Sequence, residues 1–311
     1  MKSTFELALL LLLLGTGFSP GQEAAKSPLK GSVALLGDGF LERSQQGGRF
    51  EAILQLGAKD GANLRLTNLA WSGDTVQGHG RSNHPLPKDG MAKLEEQFRE
   101  LDPSTVILCY GTQLAFSQNP SEHGKALENF RTGLISLVEK LRAWSGGEGP
   151  RVILMSPPIL ESVGSPFPDL SEQNDRLAAV AKIVGEIATE TESEYFDLHG
   201  ALQTAGGGLT SDGIQYTQLG YAKAAEAIVR AFGAGVLDTS QVSQELLSTI
   251  ARKDRLNFRR WRPTNITYLY GFRSHEQGRN AAEIPQFDPL IEEANKAIQV
   301  ARLRILSQPR P

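Results

Sequence analysis

A single cysteine, Cys109, stands in a chain of 311 residues, so no disulfide can form within it. It lies inside the apolar run Val106-Ile107-Leu108-Cys109-Tyr110, the setting of a buried, inert thiol rather than of a nucleophile. Neither sign of charge is in excess: 32 basic and 35 acidic residues leave a formal net charge of −3. Nucleic acid and anionic membrane surfaces are therefore not expected as partners. His79, His84, His123 and His199 are scattered without metal-ligand spacing, so neither a metal nor a cofactor is expected. Long hydrophobic runs are missing too. The stretch Leu7 to Leu14 is too short to cross a bilayer. With Lys2 before it and Gly15, Gly17, Ser19 and Gly21 after it, the stretch reads as a signal peptide over residues 1–21. The mature chain is then expected to be exported, with no membrane span. No cysteine lies near the exit of the apolar run, which excludes the usual lipoprotein attachment.

What is present is globular, with 40% hydrophobic and 22% charged residues. Five short apolar runs recur: Val33 to Gly37, Leu64 to Ala70, Thr105 to Gly111, Arg151 to Ser156 and Glu194 to Leu198. Each reads as a buried parallel strand. Between them lie helical periods. Residues 122–142 align Leu127, Phe130, Leu134, Leu137, Val138 and Leu141, and residues 172–192 align Leu177, Val180, Ala181, Val184 and Ile187. Strands alternating with helices predict a three-layer, flavodoxin-like α/β/α fold with a five-stranded parallel sheet. Ligands of such sheets bind beyond the carboxyl ends of the strands, so the residues just after each strand are the informative ones.

Those residues are Gly37-Asp38-Gly39-Phe40, then Trp71-Ser72-Gly73-Asp74-Thr75, then Tyr110-Gly111-Thr112-Gln113. The last group is Ser211-Asp212-Gly213-Ile214-Gln215-Tyr216-Thr217-Gln218-Leu219-Gly220-Tyr221. In this order they resemble the four sequence blocks of the SGNH, or GDSL-type, hydrolases over residues 33 to 232. The resemblance implies an ester hydrolase with a serine nucleophile in the first block. That position here is Gly39, which has no side chain to attack with. It implies a histidine base in the last block, oriented by an aspartate. Asp212 is kept, but the histidine position is Gln215, and a carboxamide takes no proton near neutral pH. The implied oxyanion donors map to the Gly73 backbone N–H and to the Gln113 amide. Asp38 and Asp74 form a candidate carboxylate pair in the crevice, or serve as caps. Ser44 and Ser72 are the alternative hydroxyls near the empty nucleophile position.

Beyond residue 236 the pattern changes into a C-terminal extension, expected to pack on the domain at 30–235. A helix is expected at 240–256. After it come Arg259-Arg260-Trp261-Arg262-Pro263-Thr264-Asn265 and Gly271-Phe272-Arg273-Ser274-His275-Glu276-Gln277-Gly278-Arg279-Asn280. This run resembles the tail of large exported SGNH-like proteins from environmental bacteria. Arginine forks bind carboxylates and stack on planar groups, so Arg260, Arg262, Arg273 and His275 are candidate binding residues reaching over the crevice. The competing reading makes the run a strap pinned to acidic residues of the core. Phe287, Leu290, Ile291, Ala294, Ile298 and Ala301 mark a closing amphipathic helix. Two functions compete. One is a pseudoenzyme that holds an acylated or carbohydrate ligand, which the losses at 39 and 215 favour. The other is an active hydrolase of acyl or acetyl esters with its catalytic groups relocated, His275 being a candidate base.

Overall fold

A computed structural model describes residues 26–308 apart from 60, 82–86, 117–119, 234–240, 277 and 279. The expected leader at 1–21, the boundary at 235–236, His84, Gln277 and Arg279 lie outside the described residues.

The five expected strands form one parallel sheet: β1 (Ser32–Gly37), β2 (Arg65–Asn68), β3 (Thr105–Cys109), β4 (Arg151–Met155) and β5 (Glu194–Phe196). Their order is β2-β1-β3-β4-β5, the doubly wound arrangement whose switch point lies between β1 and β3. Register follows the apolar alternation, with Val33, Ala34 and Leu35 opposite Thr105, Val106 and Ile107. β1 ends with its apolar run at Gly37, while the other four strands stop short of theirs. Leu69, Ala70, Tyr110 and Ser156 instead begin the loops that leave the sheet.

Helices cover both faces. On one face, α2 (Arg49–Gly57), α6 (Leu198–Gln203) and α7 (Gln218–Phe232) bury Phe50, Ile53, Ile228 and Phe232 against Val33, Leu35, Ile107 and Ile153. On the other, α3 (Pro87–Leu101), α4 (Pro120–Trp144) and α5 (Ser171–Glu190) bury Phe98, Leu134, Val180 and Val184 against Ala34, Leu36, Val106 and Leu154. The alternation of Val33, Ala34, Leu35 and Leu36 between the two clusters is the period-2 pleat of a strand buried on both sides. A short helix, α1 (Gly39–Arg43), opens directly off β1.

The C-terminal extension is mostly helical. Helix α8 runs from Gln244 to Trp261, past the expected end at 256; α9 is a single turn, Ile266–Leu269, and α10 spans Phe287–Leu306. Leu246 and Ile250 of α8 join Ala52 and Leu56 of α2 and Ile298, Ala301 and Ile305 of α10 in a third apolar cluster. The seam of α10 matches the expected one over its C-terminal half. Its buried residues are Ala294, Ile298, Ala301, Arg302 and Ile305, while Leu290 is 41% exposed. Ala294, Ile298 and Ala301 are buried as expected, and the stripe continues on the same face through Ile305 and Arg302, which donates to the carbonyl oxygens of Gln55 and Ala58, both at 2.6 Å.

Candidate active-site crevice

The loops after the strands converge on a crevice of about 310 Å³ at the carboxyl edge of the sheet. Asp38 and Gly39 come from the end of β1, Ser72, Gly73 and Asp74 from the loop after β2, and Thr112 and Gln113 from the 3-10 turn after β3. Ile214, Gln215 and Tyr216 close the far side. Gly39, Gly73, Gln113 and Gln215, drawn from four separate sequence blocks, therefore share one cavity, with Asp38 and Asp74 beside them.

Aromatic rings make one wall. Phe40 meets Tyr216 edge-on at 5.0 Å and stacks on Tyr221 at 5.4 Å. Both tyrosine hydroxyls are turned to backbone, Tyr216 donating to the Ile159 carbonyl at 2.8 Å and Tyr221 to that of Phe40 at 3.0 Å. With their hydroxyls so engaged, the rings that line the cavity offer it apolar surface.

The two buried aspartates hold the loops. Asp38 caps α1 by accepting the Phe40 N–H at 3.2 Å and accepts the Thr112 N–H at 3.3 Å. Burial raises its carboxyl above the ordinary value, and the nearby Asp74 adds to the rise. Asp74 faces the buried Arg81 at 3.2 Å and accepts from Tyr110 Oη at 3.3 Å and the Gly80 N–H at 3.2 Å. Burial raises this carboxyl too, against the pull of Arg81. Gly73 takes a φ of +76°, a left-handed conformation that glycine adopts at no steric cost. That conformation sets the backbone between Ser72 and Asp74 at the mouth of the cavity.

Asp212 does not line the crevice. It accepts the backbone N–H groups of Gln215 at 2.7 Å and Ile214 at 2.9 Å. The Gln215 bond is the main reason its carboxyl is held below the ordinary value. Its oxygens fasten the turn that carries position 215. Ser44 is also structural, buried at the end of α1 and donating to the Leu41 carbonyl at 2.7 Å. His79 bonds Thr75 at 2.8 Å, and His199 is buried beside Gln203 at 3.2 Å. Among the described residues no group of three or more His, Cys, Asp or Glu is placed to hold a metal.

The four candidates of the extension separate. Arg260 turns away to Glu100 and to Asp288, the latter at 2.7 Å. Arg273 pairs with its neighbour Glu276 at 2.6 Å. His275 is exposed in the turns at 271–276 and is not among the crevice-lining residues. Arg262 alone reaches the back of the crevice wall. It bonds Glu42 at 2.7 Å, donates to the Ala70 carbonyl and stacks on the Trp71 ring at 4.2 Å. Glu42 in turn accepts the Ser72 N–H at 3.0 Å and the Ser72 hydroxyl. Glu42 was not singled out from the sequence. The available signal was its spacing, three residues beyond Gly39 at a helix start, which puts both on one face. A larger cavity of about 650 Å³ lies between Arg255, Arg259, Arg262, Tyr268 and Phe287; it contains none of the four block positions.

Solved structures share the architecture. An acetylxylan esterase from Geobacillus stearothermophilus is 21% identical, with 68% of this chain and 98% of that chain covered and a TM-score of 0.47. An aryl esterase of M. smegmatis is 18% identical, over 64% of this chain and 97% of that one, with a TM-score of 0.46. A gut microbial diltiazem-metabolizing enzyme is 13% identical, over 67% of this chain and 48% of that one, at a TM-score of 0.50. At these identities the likeness concerns the fold. No curated protein matches the chain. The model of the GDSL-like lipase/acylhydrolase family matches residues 35–247, more than half of the chain and every loop that builds the crevice. The chain belongs to that family.

Proposed function

We propose that the crevice binds the ester of an acylated small molecule or carbohydrate, and that the family's serine–histidine pair has no part in its chemistry. With respect to that pair the chain is a pseudoenzyme. One observation carries the reading. The block loops converge on a formed cavity with an apolar wall and the implied oxyanion donors Gly73 and Gln113, yet glycine stands at position 39 and glutamine at 215. Family membership supplies the ester; the esterase named for acetylxylan among the solved structures supports a carbohydrate as its carrier. The leader read at 1–21 supports export, which intact mass of the protein recovered from a secreting bacterial host checks through removal of those residues.

Calorimetric titration of the full chain with an acetylated xylo-oligosaccharide and with its deacetylated parent tests the ester-binding reading. The acetylated form is expected to bind more tightly. Gly39→Phe, which fills the cavity, is expected to remove the difference. A preference that survives in a folded Gly39→Phe protein rules out the crevice as the binding site.

A second reading, retained ester hydrolysis with relocated groups, has an observation of its own: the Ser72 hydroxyl lies 3.4 Å from where a Cβ on Gly39 would stand.

A further inference from the structure

We propose that Ser72 is the nucleophile of this crevice, with Glu42 as its base and Arg262 as the positioning residue that orients Glu42. The inference rests on the crevice being an ester site. It replaces the family's missing pair with groups from the second block, α1 and the extension.

Position comes first. Beyond the chain neighbours of Gly39 and the backbone of its own helix, the only group among the described residues within 4 Å of an added Cβ is the Ser72 side chain, with Oγ at 3.4 Å and Cβ at 4.0 Å. The Ser72 hydroxyl thus stands beside the place left vacant by the first-block nucleophile. Ser72 lines the crevice and also the neighbouring cleft between α1 and α8, together with Glu42 and Arg43. It is half-buried rather than locked in the core.

Activation comes second. A serine hydroxyl becomes a nucleophile when a base within hydrogen-bond reach takes its proton and a third group fixes the base. Ser72 Oγ bonds Glu42 Oε2. The Ser72 N–H bonds the same oxygen at 3.0 Å, which fixes the serine against the carboxylate. Glu42 Oε1 is held by Arg262 Nη1 at 2.7 Å. Arg262 is itself held, with its guanidinium over the ring of Trp71 at 4.2 Å and over that of Phe258 at 5.2 Å.

The oxyanion site fits the shifted nucleophile. The N–H of the residue following a nucleophile is a recurring oxyanion donor, and the residue after Ser72 is Gly73. Gly73 and Gln113 line the same cavity. The reaction balances with water as the only co-reactant. Ser72 Oγ forms a bond to the ester carbonyl carbon while its proton passes to Glu42 Oε2, and the carbonyl π electrons move onto oxygen. Collapse breaks the ester C–O bond, and the leaving alkoxide takes the proton from Glu42. Water then attacks the acyl-Ser72 carbonyl, giving one proton to Glu42. The Ser72 oxygen leaves with that proton, releasing the carboxylic acid.

The full chain is treated with an alkyl fluorophosphonate, and the adduct is mapped by peptide mass spectrometry. Hydrolysis of 4-nitrophenyl acetate is followed in parallel. The expected result is one adduct per chain, on Ser72. Ser72→Ala, which removes only a hydroxyl, is expected to abolish labelling and hydrolysis at an unchanged Tm. Glu42→Gln keeps the shape but not the base and is expected to slow both on the order of 10²-fold; Arg262→Lys tests the same base where Glu42→Gln fails to fold, and is expected to slow labelling while retaining ligand binding. An adduct on another serine overturns the inference, as does labelling that persists in Ser72→Ala. Absence of any adduct on a chain that binds the acetylated oligosaccharide overturns it too, while leaving the ester-binding crevice intact. Labelling at Ser72 without oligosaccharide binding does the reverse: Ser72 stands and the carbohydrate reading falls.

Discussion

Position 39 tests the relation between sequence and chemistry most directly, because the space for a side chain is there and the side chain is not. Among the described residues outside its own helix only Ser72 approaches the place of its Cβ, at 3.4 Å, an ordinary van der Waals contact. In a Ser72→Ala background, Gly39→Ser together with Gln215→His is expected to raise 4-nitrophenyl acetate hydrolysis on the order of 10²-fold, with each single change near background, since the two act as one unit. No gain in a folded variant would mean that Asp212, already committed to the Ile214 and Gln215 N–H groups, does not orient a histidine. Cys109 gives a second expectation. It is fully buried in β3, and burial, with Asp38 adding to it, pushes its thiol well up. The native chain should resist iodoacetamide for hours and take up one equivalent on denaturation; rapid native alkylation would show that β3 opens locally. The glycine at 39 and the glutamine at 215 were legible because the blocks come in the expected order along the chain. The Glu42–Arg262 contact was not, because it joins residues 220 apart, and no local period records such a pairing.

Among the elements, the strands and the long helices were written in the chain. Runs of β-branched and apolar residues gave all five strands, and the stripes at 122–142 and 172–192 became α4 and α5. Helix α8 was harder to read because its contact face is charged. Lys253 is fully buried, bonding Glu51 of α2, the Leu66 carbonyl at 3.0 Å and Asp254 at 3.2 Å. A buried charge among carboxylates breaks the apolar pattern from which helix seams are recognised. The same cluster makes α8 sensitive to single changes. Lys253→Met leaves Glu51 and Asp254 without their cation and is expected to cost roughly 3–5 kcal/mol in denaturant unfolding. The pH dependence comes from Asp254, whose carboxyl burial raises from 3.8 to about 7 although Lys253 opposes the rise. A raised carboxyl means the folded chain binds the extra proton between the unfolded value and the folded one. The associated stability is therefore present in acid and lost as pH rises through about 7. Removing Lys253 raises the folded value further, so the variant should gain Tm on going from about pH 8 to about pH 5. A Tm that falls over that interval would exclude Asp254 as the source.

At the scale of the molecule, β2 is an edge strand, and the extension covers that edge. In a parallel pair alternate residues point their backbone groups outward, and on β2 and its flanks these are the even ones. Arg65, Leu69 and Trp71 donate their N–H groups to the β1 side. The outward carbonyls find side chains instead. Leu64 accepts from Gln55 at 3.1 Å and Gln299 at 3.4 Å, Leu66 from Lys253 at 3.0 Å and Ala70 from Arg262. Three of these four donors come from beyond residue 240. The packing agrees, since Trp261 of α8 lies in the second core cluster and Ile250, Ile298 and Ile305 close the third. Burying those three isoleucines stabilises the fold by roughly 1.5–3 kcal/mol each, a large share of the roughly 5–15 kcal/mol that holds a domain folded. A chain ending at Gly233 would lose them, expose Ala52 and Leu56, and leave an open strand edge of the kind that pairs with other copies. It is expected to aggregate on expression, or to unfold without a cooperative transition. Limited proteolysis of the full chain should likewise yield no stable fragment ending near residue 233. A soluble 26–233 fragment melting cooperatively near the full-length Tm would make the extension a separable arm, and Arg262 would then reach Glu42 from a second folding unit.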